Sequence, residues 1–347
     1  MIFLRFHYLI ICGILIHFSA RPEAFVVVPS IPRLKGCRSL ILYQDKSFVD
    51  GGAVGKSTTD FLSQIDVTVQ RVIEKYGESQ IINVLDLPPQ EREVLGIAHH
   101  LKERLQTLRK NNSCPRCWLQ EINCFCKHCP PVESVGQSNL NRLFLLMHHK
   151  EIGMAVDTAK LILTSYPNTC RLVVAGVGSE FQESMAEMEA ALIQRRCLVL
   201  FPDETARTFE DIENEMRIAK AKYTGVEDSK VGWDVIVIDG TWQQARRMQK
   251  RYFPVEGGPC RVKLSKEALV TLEQDTVNGE ANAGHQLRKH SMTWRKVGTF
   301  EATRLFLMDL LAQEYGNSSD APWIRMESYQ QIANSAAQKQ SMSQFFS

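Results

Sequence analysis

The chain has 347 residues, 44% of them hydrophobic and 23% charged, with a formal net charge of +2. That length holds one large domain with extensions or two domains, and the composition is that of an ordinary globular protein. A polycation is excluded, so a nucleic-acid partner has to be held by local basic patches.

The first 59 residues read as an address. Arg5 and His7 precede the apolar run 8–16, which is about half the length of a bilayer-spanning helix and fits a signal-peptide core. On this reading residues 1–24 are the signal peptide. Residues 25–59 are transit-like, basic and rich in hydroxyls: Arg33, Lys35, Arg38, Ser39, Lys46, Ser47, Ser57, Thr58 and Thr59. Such a two-part leader resembles those that direct proteins into the plastids of alga-like hosts. A mitochondrial presequence is the alternative, and no membrane partner is expected of the mature form.

Residues 60–112 read as a helical N-terminal extension. Phe61, Leu62, Ile65, Val67, Val72 and Ile73 recur at helical spacing, Pro88 and Pro89 break the chain, and a second helix spans 91–110. His99 and His100 lie on that helix and read as surface or half-buried residues, because no Glu or Cys stands at a matching spacing.

Five of the ten cysteines fall between Cys114 and Cys129, a clustering that favours a metal site over a disulfide framework. Cys114 and Cys117 form a Cys-x2-Cys turn, and Cys124 with Cys126 forms a second close pair. Four thiolates so spaced can close a tetrahedral shell around one ion, and zinc suits soft sulfur ligands without redox chemistry. An iron–sulfur cluster is the alternative, and His128 or Cys129 can replace one ligand. Four sulfurs leave no open position, so the zinc is expected to be structural.

Beyond the cysteines the chain alternates. Strands are expected at 142–147, 171–175, 197–201, 234–238 and, at an edge, 261–264; helices at 155–165, 179–196, 209–222 and 299–312. Most strand runs are apolar without a period of two, which indicates an α/β fold with a largely parallel sheet covered by helices on both faces. Chemistry in such sheets collects beyond the carboxyl ends of the strands. Asp239 stands at one such end, Gly240 permits the turn, and Thr241 can cap the helix that opens at Trp242 or Gln243. Polar segments at 201–206 and 298–302 are the other candidates for that side of the sheet. Arg246, Arg247, Lys250 and Arg251 share one helix face beside the corner. With Arg288 they form a patch suited to a phosphate backbone.

These segments, in order, resemble the DTW-domain family of tRNA-uridine aminocarboxypropyltransferases. The resemblance rests on Cys114, Cys117, Cys124 and Cys126; on His149 with Glu151 and Thr158; on Phe201-Pro202 through Ala206; on Asp239-Gly240-Thr241-Trp242 with Ala245; on Leu287-Arg288; and on Thr299-x-Glu301-Ala302. It covers roughly 110–315. It departs at Lys150, where the family usually has Pro, and at Gly298, where Ser or Cys is common.

The resemblance implies a catalytic domain at 113–315 that includes the zinc knuckle 114–129, followed by a tail at 316–347. It implies a SPOUT-like fold with a C-terminal knot, tRNA as partner, and S-adenosylmethionine as donor of a 3-amino-3-carboxypropyl group to N3 of a uridine. Asp239 would then be the general base or an orienting carboxylate. Phe201, Pro202, Thr205, Ala206, Gly240, Thr241, Trp242, Thr299, Glu301 and Ala302 would bind the donor. Arg246, Arg247, Lys250, Arg251 and Arg288 would hold the RNA. A SPOUT-type methyltransferase and a non-catalytic zinc-containing RNA-binding protein are the rival readings, and the oligomeric state stays open.

Overall fold

Short apolar runs, each stopped by a polar or turn-forming cluster, become the strands of a central sheet in the computed structural model. The structure describes residues 10–11, 14–15, 61–77, 87–133, 139–213, 215, 218, 232–277, 297–316 and 318–345. The rest of the leader, most of the second half of the helix expected at 209–222, and Leu287 with Arg288 lie outside the described residues.

Five strands form the sheet: β1 (Leu140–Met147), β2 (Cys170–Val174), β3 (Cys197–Leu200), β4 (Trp233–Asp239) and β5 (Cys260–Val262). Their order is β2-β1-β4-β3-β5, and every pairing is parallel. The last strand does lie at an edge, shifted from the expected 261–264.

Among the described residues, the principal α-helices are α1 (Phe61–Gly77), α2 (Pro89–Lys110), α3 (Lys160–Ser165), α4 (Gly178–Ile193), α5 (Trp242–Tyr252), α6 (Lys266–Val277), α7 (Thr299–Tyr315) and α8 (Pro322–Phe345). The helix expected at 155–165 begins only at Lys160. The reason is local. The Asp157 carboxylate accepts a hydrogen bond from the Ala159 N–H at 3.0 Å, and such a side-chain turn competes with the helical ladder.

Alternate residues of each strand feed two cores. Leu143, Leu145, Met147, Leu198, Val235 and Val237 face one, shared with α3, α7 and α8 and reached by α1 and α2. Phe144, Leu146, Val199, Ile236 and Ile238 face the other, covered by α4 through Phe181, Met185 and Met188 and by α5 through Ala245 and Met248. Both faces are therefore sealed, as a parallel sheet requires.

Residues 316–347, expected as a tail, contain the 24-residue helix α8. Its Trp323, Met326, Tyr329, Ala333 and Ala337 are buried in the first core, and the Tyr329 hydroxyl donates to the Pro130 carbonyl at 2.7 Å. Apolar residues on one stripe make this segment a wall of the domain. No helix among the described residues is long and apolar enough to cross a membrane.

The topology picks out one crevice. β1 connects outward to β2 on one side, while β4 connects past β3 to β5 on the other. β1 and β4 are neighbours whose onward connections diverge, which makes their carboxyl ends a switch point where ligands bind in open α/β sheets. Register pairs Met147 with Asp239, so the two strands end level.

Candidate functional site

Asp239 ends β4 and is 2% exposed. Its carbonyl accepts the His148 N–H at 2.9 Å, which ties the turn after β1 to the end of β4. That turn then folds back: the Glu151 N–H donates to His148, Met154 to Glu151, and Asp157 to Met154. The result places Glu151, Asp157 and Asp239, all buried, with a carboxylate oxygen of each within 4.8 Å of the others. Three carboxylates held so closely out of water repel one another when ionised, and a cationic ligand among them relieves that repulsion.

The wall beside Asp239 comes from α5 and from the segment after β3. Thr241 caps α5 in a reciprocal capping box with Gln244, so the helix opens at Trp242. The Trp242 ring lies parallel to Phe201, with 5.4 Å between centroids and 9° between planes. Trp242 is still 40% exposed. A flat aromatic surface with one side open is a platform for a base. Gly240 fits closely: a Cβ there would lie 3.3 Å from the His148 Cβ and 3.2 Å from the Gln244 Cβ.

Helix α2 forms the far side of the turn after β1. Arg251 pairs with Glu93 of α2 at 2.7 Å, and the His100 ring meets His149 edge-on at 5.4 Å. Leu108 and Arg104 pack on Gly153, whose positive φ of 77° and lack of a Cβ let α2 approach closely. His149 also stacks on His148 at 4.3 Å. Burial, with the neighbouring His148, His100 and Lys150, pulls His149 down to about 4. Burial likewise lowers His148.

The structure divides the expected site residues. Asp239, Gly240, Thr241, Trp242 and Phe201 come together at the crevice, with half-buried Pro202 and buried Ala206 in the adjoining loop. Thr205 braces that loop: its hydroxyl donates to Asp203 at 2.7 Å and accepts from Arg261 at 3.0 Å. Gly298 lies near Thr158, so the start of α7 adjoins the turn after β1. Thr299 and Ala302 lie in the first turn of α7, not in a loop at a strand end. Glu301 is held by Arg304, a buried partner one turn on, at 2.5 Å.

On α5 the side chains of Arg246, Arg247 and Lys250 are exposed, while Arg251 is engaged by Glu93. Arg288 lies outside the described residues. Asp157 was missed in the sequence, since it carried no motif of its own beyond a turn-forming carboxylate. His99 is exposed and His100 half-buried, as expected, and only the packing reveals the contact of His100 with His149.

The cysteine knuckle is a separate centre. Ser113 bridges Gln120, the Cys114 N–H donates to Leu119 at 2.7 Å, and Trp118 takes a positive φ of 61°. Four sulfurs, of Cys114, Cys117, Cys124 and Cys126, lie within 4.8 Å of one another. Cys114 and Cys126 are 3.8 Å apart, Cys117 and Cys124 3.7 Å. A tetrahedron with Zn–S bonds of about 2.3 Å has sulfur–sulfur edges of about 3.8 Å, so the four residues can hold zinc. The same distances are far beyond a disulfide bond of about 2.05 Å. Hydrogen bonding among the sulfurs sets their protons in the absence of an ion: Cys117 holds Cys114 low, and Cys114 pushes Cys117 up to about 12. Exposed His128 and buried Cys129 fall outside the four, and burial pushes Cys129 up to about 12.

The DTW domain family model matches residues 111–347, from the start of the knuckle to the end of α8. No curated protein and no solved structure matches the chain. With the matched region spanning both the cysteine knuckle and the Asp239 crevice, the chain belongs to the DTW-domain family, the family of tRNA-uridine aminocarboxypropyltransferases.

Proposed function

We propose that this chain transfers the 3-amino-3-carboxypropyl group of S-adenosylmethionine to N3 of a tRNA uridine, with methylthioadenosine as the second product. The observation that carries this reading is the buried trio Glu151, Asp157 and Asp239 at the β1–β4 crevice, beside the open face of Trp242. The donor brings a sulfonium and an ammonium, and its reacting carbon is already bound to a sulfur that departs neutral. Buried carboxylates complement those positive charges. Trp242, backed by Phe201, offers its free face to the adenine or to the uridine base.

Asp239 receives the N3 proton as the nitrogen attacks. The N3–carbon bond forms, the carbon–sulfur bond breaks, and its electron pair stays on sulfur. The leaving group needs no acid, so holding N3 in line supplies much of the remaining acceleration. Arg246, Arg247 and Lys250 grip the RNA backbone along α5. Zinc in the knuckle is structural. A SPOUT-like path with a knotted C-terminal segment, and a leader that directs the chain to a plastid in preference to a mitochondrion, belong to the same proposal. Their support is the family resemblance and the sequence of residues 1–59.

The test is incubation of the purified protein with unmodified tRNA and S-adenosylmethionine, followed by mass spectrometry of nucleosides and small-molecule products. Aminocarboxypropyl-uridine with methylthioadenosine is expected. S-adenosylhomocysteine with a methylated base would replace this reading by methyl transfer, and tRNA binding without any product would replace it by a non-catalytic role.

A further inference from the structure

Lys160, the first residue of α3, has a buried ammonium that the proposed chemistry does not use. It is 2% exposed. Its Nζ donates to the carbonyl of Ala155 at 2.7 Å and to that of Met154 at 3.2 Å. Both carbonyls lie in the turn after β1, between Glu151 and Asp157. The same ammonium stands 5.9 Å from the centre of the Trp118 ring, and Trp118 follows Cys117 directly in the zinc knuckle. Burial lowers the Lys160 ammonium from its ordinary value, and Asp157, with Cys117, Cys126 and Cys114, opposes that only in part.

Burying an ammonium costs several kcal/mol unless nearby charge and hydrogen bonds offset it. Here the two carbonyls, the Trp118 ring and the neighbouring Asp157 offset part of that cost. Groups that brace the surroundings of a metal site tune its geometry. Lys160 packs on the residue that follows Cys117, and its other contacts fix the backbone that carries two of the three carboxylates.

We propose that Lys160 is a positioning residue that couples the donor-binding turn, residues 148–159, to the zinc knuckle. Loss of the metal frees the loop that carries Trp118, weakens the hold on Lys160, and loosens Met154 and Ala155 with the carboxylates beside them. This inference rests on the reading that the trio faces the donor.

The test uses the full chain and two measurements. Donor affinity is read by titration calorimetry with S-adenosylmethionine, and zinc by chelator-monitored release. Lys160→Met removes the charge at similar length. It is expected to fold with one zinc per chain and to bind the donor about tenfold more weakly, the lower end of what removing a group behind a metal site costs. Stripping zinc is expected to weaken donor binding in the wild type but to add little in Lys160→Met, because coupled changes do not add. In the wild type alone, saturating donor is expected to slow zinc release, since coupling between two sites is reciprocal. That arm needs no variant and decides the matter if Lys160→Met fails to fold. Donor-independent zinc release, or equal losses on zinc removal in both proteins, overturns the coupling. A wild-type protein that binds no donor overturns the reading of the site together with this inference.

Discussion

Asp239→Asn separates a catalytic carboxylate from a structural one. The substitution keeps the shape of the side chain and removes one negative charge from a trio whose members lie within 4.8 Å. With an effective dielectric constant near 20, two carboxylate charges at that distance repel by about 3.5 kcal/mol. Neutralising Asp239 relieves this repulsion toward both Glu151 and Asp157, so the melting temperature is expected to hold or rise. The rate should move the other way. A general base contributes about 10²–10⁴-fold, equivalent to about 2.7–5.5 kcal/mol of barrier. The assay is single-turnover formation of methylthioadenosine at saturating tRNA, with thermal unfolding followed on the same preparation. Turnover within about threefold of wild type would refute Asp239 as the base. A melting temperature lowered by several degrees would refute the repulsion argument and show that the carboxylate holds the turn.

Trp242→Ala is expected to weaken binding of base or donor by about 1–3 kcal/mol, the usual loss of one stacking platform. Trp242→Phe should keep most of that affinity, as measured by calorimetry with each substrate; equal losses would point to something other than stacking. Replacing Arg246, Arg247 and Lys250 together by Ala should lower tRNA affinity and flatten the slope of log K against log salt by about 2–3. Arg251→Ala should change that slope less, because Glu93 already holds its guanidinium at 2.7 Å. Asp234→Ala is expected to cost about 3–5 kcal/mol in denaturant unfolding, since this fully buried carboxylate holds Arg196, Asn141 and Arg142. Acid should destabilise the fold through His149, whose ordinary value of 6.5 drops to about 4 because of burial. Above pH 6.5 neither state is protonated there; between 6.5 and 4 the unfolded chain takes up the proton first, so stability falls with pH. His149→Gln should lessen that loss in unfolding curves measured from pH 7 to pH 4.

The strands and the corner at Asp239 were legible because they depend on neighbours in sequence. An apolar run, a turn residue and a helix cap are local, and Thr241 with Gln244 forms the expected cap. The cysteine spacing was legible for the same reason, since a Cys-x2-Cys turn brings two sulfurs together by itself. Asp157 was not legible. It meets Asp239 only because β1 and β4 pair and the turn after β1 folds back along hydrogen bonds from His148 to Asp157. Helix α8 was hidden for a different reason. Its buried positions include Ala333, Ala337 and Gln340 as well as Trp323, so its apolar stripe is weak by composition. Packing against the knuckle, where Gln340 accepts a hydrogen bond from the Gln120 N–H at 2.7 Å, gives it its place. The ion pair of Arg251 with Glu93 was likewise out of reach, whereas that of Glu301 with Arg304, three residues apart on one helix, is local; each engages a side chain expected to meet a ligand.

The net charge of +2 conceals a sorting of charge that matches the two substrates proposed above. Acidic groups turn inward at the crevice, where low water content would strengthen their pull on the sulfonium and ammonium of the proposed donor. Basic groups of α5 turn outward, where each phosphate contact releases counterions and salt weakens the grip. Thr241 opens that helix two residues after Asp239, so one corner of the chain sets both the acid and the start of the basic face. On the proposed reading, the distance between the donor site and the RNA track is thereby fixed by a single turn of backbone. A flexible linker between the two would impose an ordering cost at every encounter, and a capped helix that grows directly out of the strand avoids it.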